Sequence, residues 1–95
     1  MIQNVDRFPL GRVVATPGAL AALARTGEPP SKFLGRHAHG DWGTVDAHDW
    51  KVNDDAISLG NRLVSAYTLG DGTTKIWIIT EADRSLTTIL LPDEY

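Results

Sequence analysis

Apolar and polar positions change their spacing part-way along this chain. Between residues 11 and 61 the apolar residues recur mostly at helical intervals, punctuated by glycine and proline. From residue 62 they fall into short β-branched and aromatic runs. "TPGALAALARTG" (16–27) predicts a first helix: Thr16 is a good N-cap, Pro17 suits the first helical position and Gly27 sits just past the end. Leu20, Leu23 and Ala24 are its expected buried stripe. "EPPS" is a stiff turn, because neither proline fits a helix interior. A second helix then runs from Pro30 or Ser31 to about Ala38, with Phe33, Leu34 and His37 on one face and Gly40 as its stop. "TVDAHDWKVN" predicts a third, short helix with Asp46 as N-cap, Asp49 three residues on, and Trp50 pointing inward. Residues 54–61 read either as a helical turn or as a loop.

The remaining pattern is that of strands. "GRVVA" (11–15) is a short β-branched run, and stretches 62–69, 74–80 and 86–91 follow one another across short turns, with Pro92 closing the last. Such turns make an antiparallel meander. Within "KIWIIT", alternation sends Ile76, Ile78 and Thr80 to one face and Trp77 and Ile79 to the other. Either helices cover both faces, or the Trp77 face meets a partner. The class implied is α+β. Two to three short N-terminal helices pack on a C-terminal antiparallel sheet of three strands, or four if 11–15 joins. Residues 1–95 form a single domain, with 1–10 a flexible N-terminus, 11–61 a mainly helical half and 62–92 the meander.

Composition narrows the function. Ninety-five residues, 42% apolar and 22% charged, suffice for one modest core. Without cysteine there are no disulfides or thiolate zinc sites. No basic-then-apolar leader or long apolar run is present, so the expectation is a cytoplasmic protein without a membrane role. Net charge is −3, and the cations are scattered, which disfavours stable nucleic-acid binding. The acids are not scattered: Asp41, Asp46, Asp49, Asp54 and Asp55 face Lys51 alone over residues 41–55. That segment suits a protein partner with a basic surface. With the three tryptophans it gives the candidate partner-binding set Asp41, Trp42, Asp46, Asp49, Trp50, Asp54 and Trp77. A solvated acidic helix and core-filling tryptophans are the plainer reading of the same residues.

Two constellations could carry chemistry. "RHAHGDWG" (36–43) resembles the H-x-H-x-D-H metal motif of metallo-β-lactamase-like hydrolases, but Trp42 stands where the next histidine belongs. A site would have to gather His37, His39 and His48 with Asp41 or Asp46. The expectation is instead no metal and no cofactor, with His37 packed beside Phe33 and His39 and His48 exposed. The second set is His37, Arg62, Tyr67, Thr80 and Arg84, near Ser85, Thr87 and Thr88. These supply a general base, an acid and a cation, as a metal-independent ribonuclease requires. Helices followed by a meander are similar in outline to the barnase, colicin and RelE-like nucleases. Thr87 and Thr88 face opposite ways, so at most one joins such a site, and Asp83 and Arg84 equally suit a turn.

Three longer stretches, "LGRVVATPGALAAL", "FLGRHAHGDWG" and "IWIITEADRSLTTILLPDEY", together resemble a family of small proteins of bacterial plasmids and integrative elements. Some of these are loosely labelled type I restriction-modification subunits. The resemblance implies a mobile-element context and assigns no catalytic residue. The label cannot be literal, since no cofactor-binding motif is present in these 95 residues. The expected function is a small non-enzymatic interaction protein. It would bind a host or element-encoded protein, for example to inhibit defence or replication machinery. The acidic 41–55 segment favours this over the toxin-like ribonuclease.

Overall fold

Caps decide where each helix begins and ends. The Thr16 hydroxyl accepts the Ala19 N–H at 3.2 Å, and Gly27, at φ 70°, takes the left-handed turn that ends the first helix, α1 (Pro17–Thr26). A computed structural model of the chain describes residues 6–95. In it a four-residue strand, β1 (Arg12–Ala15), precedes α1, and α2 (Pro30–Ala38) follows the double proline. The Asp46 carboxylate then accepts the Asp49 N–H at 2.8 Å to start α3 (Ala47–Leu59). This helix continues through the ambiguous 54–59 stretch to Gly60, at φ 75°. Asp54, Asp55 and Ser58 are weak helix formers, but Asn53 and Ala56 are buried, and that burial holds the last turns in place.

Three strands follow: β2 (Leu63–Thr68), β3 (Lys75–Thr80) and β4 (Leu86–Leu90), then a single 3₁₀ turn at Pro92–Glu94. They form the expected meander, and β1 joins them in the order β1-β4-β3-β2. The sheet is mixed rather than purely antiparallel, because β1 lies parallel to β4, pairing Arg12 with Leu86 and Ala15 with Ile89. β1 passes straight into α1, and its partner β4 follows only after three helices and two strands. No local signal marks such a long-range pairing.

The helices cover one face of the sheet. Ala19, Ala22 and Leu23 of α1 and Phe33 of α2 pack on Tyr67, Ile76, Ile78 and Ile89. A second cluster joins Phe8, Trp42, Ala56 and Leu63, with Trp50 and Ile57 against it. Of the N-terminal segment expected to be flexible, 1–5 lie outside the described residues. Residues 6–10 are packed: the Arg7 N–H donates to the Ala38 carbonyl at 2.8 Å, and Phe8 is only 5% exposed.

The outer edge of β2 is closed by side chain and loop. Asn53 of α3 brackets Val64, donating to its carbonyl at 2.8 Å and accepting its N–H at 3.1 Å. One step along, the Ala66 N–H donates to the Trp42 carbonyl at 3.1 Å, and its carbonyl accepts the Thr44 N–H at 2.7 Å. Gly43, at φ 77°, lies between these two bonds. A Cβ there would collide with the Ala66 carbonyl, so glycine is required on both counts. None of the described helices is long and apolar enough to cross a membrane.

Candidate functional site

The densest polar chemistry lies inside the molecule. His37, on the inner face of α2, is fully buried beneath the rings of Phe8 and Trp42, whose centroids lie 5.3 and 5.5 Å from its own. Its Nδ1 meets the Ser65 hydroxyl of β2, and its Nε2 lies 2.9 Å from the Thr80 hydroxyl of β3. Thr80 meets Thr87 of β4 at 2.7 Å, and Thr87 meets the Leu10 carbonyl at 2.7 Å. The direction of this chain follows from its end. A carbonyl only accepts, so Thr87 donates to Leu10, Thr80 donates to Thr87, and Thr80 accepts from the Nε2–H of His37. Nδ1 is then the lone-pair nitrogen and accepts from Ser65. A neutral imidazole of one tautomer satisfies every link. Burial, reinforced by the Arg84 charge, pushes the His37 pKa down to about 4.

This geometry does not assemble the nuclease constellation. His37 and Thr80 are sealed, and each ring nitrogen already has a partner. The Tyr67 hydroxyl donates to the Asp41 carbonyl at 2.6 Å, and burial raises its pKa to about 12. Arg84, at φ 62°, is held by the Asn61 and Ala56 carbonyls at 2.6 and 2.9 Å, where it anchors the end of α3. Arg62 is exposed on the helix-free face of the sheet, donating to Glu81 at 3.2 Å and to the Tyr95 hydroxyl at 2.8 Å. His37, Tyr67 and Thr80 inside and Arg62 outside therefore never share a surface. The histidines diverge as well: His37 is internal, His39 lies 3.7 Å from Asp6, and His48 is exposed on α3. No group of three potential ligands converges among the described residues.

Much of the acidic segment supports the fold. Asp41 pairs with Arg36 at 2.7 Å and accepts the Gly43 N–H at 3.1 Å, which together hold its carboxyl below the ordinary range. Trp42 is completely buried, correcting the expectation that it faces a partner, and its indole N–H donates to Asp54 at 2.9 Å. Asp54 also lies 3.8 Å from Arg7. Trp50 is half-buried against the second cluster. A tryptophan ring carries a large apolar area, and burying Trp42 removes all of it from water.

What remains open is a cleft of about 640 Å³ between the start of α3 and the helix-free sheet face. Val64, Ala66 and the half-buried Trp77 form its floor, and Val45 and Val52 one wall. Asp46 and Asp49 stand at its rim, with no ion-pair partner among the described residues. Arg62, also lining the cleft, is drawn toward Glu81 and Tyr95, and the Tyr95 ring packs edge-on to Trp77 at 5.6 Å. Sequence reasoning finds Asp46, Asp49 and Trp77 but misses the valines. The available signal is strand alternation, which places Val64 and Ala66 on the Trp77 face.

No protein family, curated protein or solved structure matches this chain. The mobile-element reading therefore rests on the sequence resemblance alone.

Proposed function

We propose that the protein is a non-enzymatic interaction domain that receives a basic segment of a partner protein in the cleft beside α3. One observation carries this reading. The open concavity joins an aromatic floor to two carboxylates that have no ion-pair partner among the described residues, whereas His37 is locked into the core. A lysine or arginine laid over Trp77 gains cation–π attraction and reaches Asp46 or Asp49, while its methylenes cover the valines. By the resemblance above, the partner belongs to the host or the element, in defence or replication machinery, and the encounter takes place in the cytoplasm. An inhibitor of that kind acts by occupying a surface and needs no reactive group.

The test is capture from bacterial lysate by immobilised protein, comparing wild type with Trp77→Ala, Asp49→Lys and the remote control Lys32→Ala. Truncating a central interface tryptophan typically costs about 2 kcal/mol or more, over tenfold in affinity. The expected result is a captured protein that Lys32→Ala retains and that both cleft variants lose. A partner indifferent to both cleft variants would contradict the reading.

A further inference from the structure

The sheet's two outer edges are finished differently. β2 is sealed by Asn53 and by the Trp42–Thr44 backbone, as described above. β1, at the opposite edge, is not. The N–H groups of Arg12 and Thr16 donate to Ser85 and Ile89 at 2.9 and 3.0 Å, so alternate residues 12, 14 and 16 turn toward β4. Val13 and Ala15 consequently turn their N–H and C=O outward. Among the described residues no backbone or side-chain group bonds to them. Val13 is 42% exposed, an apolar side chain on an open edge. Such an edge is a template for another strand, and β1 guards it only with its four-residue length and the Arg12 charge.

We propose that β1 pairs with β1 of a second copy of this chain, antiparallel about a twofold axis, joining two four-stranded sheets into one of eight strands. A twofold pairing closes both open edges at once and leaves none to propagate. Outward-turned residues must oppose outward-turned residues. With the axis at Val14, Val13 of each copy meets Ala15 of the other, and the two pairs exchange four N–H···O=C bonds. Val14 then meets its own symmetry mate in a pair without hydrogen bonds, where side chains lie closest. Charge selects this register over the axis at Val13. It sets Arg12 opposite Thr16 and separates the two guanidinium-bearing residues by four steps, about 13 Å along the strand, instead of two. Because the contact is short, the dimer dissociates on dilution. It is independent of the cleft, which lies at the β2 side of the sheet.

The test combines mass measurement with cross-linking. Sedimentation of the wild-type chain across a concentration series is expected to rise from 10.3 kDa toward twice that mass. Val13→Pro removes an outward donor and no bond to β4, so it should stay monomeric with an unchanged circular dichroism spectrum. Because the chain has no cysteine, Val14→Cys gives a single thiol, expected to form an intermolecular disulfide under mild oxidation far faster than the exposed control Val52→Cys. A wild-type mass that stays at 10.3 kDa throughout overturns the proposal. So does a Val13→Pro variant that dimerises like wild type, or equal cross-linking of the two thiols.

Discussion

His37 and Gly43 show how one residue can hold several elements together. The imidazole ties α2 to β2 and β3 through Ser65 and Thr80, and Thr87 carries the link on to β4 and to Leu10. Ser65→Ala leaves Nδ1 buried without a donor. Desolvation without a partner costs about 1–3 kcal/mol, which urea unfolding should register as a lower midpoint at unchanged slope. Gly43→Ala forces both a left-handed backbone and a Cβ into the Ala66 carbonyl, for a loss of more than about 2 kcal/mol by the same measurement. The sequence offers His37 and Thr80 to an alternative ribonuclease set while also reading His37 as packed beside Phe33. Residue type alone cannot separate a catalytic histidine from a satisfied core histidine. The distinction lies in solvent access and in the hydroxyls that fill both nitrogens, and both come from strand register. Trp42, offered both as a partner contact and as a core filler, takes the second role.

At the scale of elements, the helices are the most legible part. Thr16, Pro17, Gly27 and Asp46 act where they stand, since capping is a local bond within a few residues. The extension of α3 is not legible, because it depends on Asn53 reaching across to Val64. Asn53→Ala removes both bonds and uncovers the β2 edge, with an expected cost of about 1–3 kcal/mol in chemical denaturation. It should also speed amide exchange at Val64, which native-state hydrogen exchange reads directly. Of the sheet, the meander follows from alternation and turns. The parallel β1–β4 pairing does not, as its partners lie at the two ends of the chain.

For the whole molecule, burying His37 makes stability depend on pH. Its folded pKa is about 4 against the ordinary 6.5, so between these values the unfolded chain binds the extra proton. This contribution is fully present above about pH 6.5 and is lost progressively as pH falls toward 4. A shift of this size corresponds to about 3 kcal/mol. Thermal or urea unfolding at a series of pH values should show the decline, and His37→Phe should flatten it. The cleft was only half legible at this scale. Its carboxylates and Trp77 stand out by type, but the concavity arises from how α3 meets β2.

His37 and the hydroxyls on its ring belong to the fold, and we propose that function lies instead at the open cleft. An NMR titration of the His37 imidazole tests this most directly. The prediction is a neutral Nε2–H tautomer that stays unprotonated until about pH 4. A His37 that titrates near the ordinary 6.5, as a solvent-accessible general base would, contradicts it.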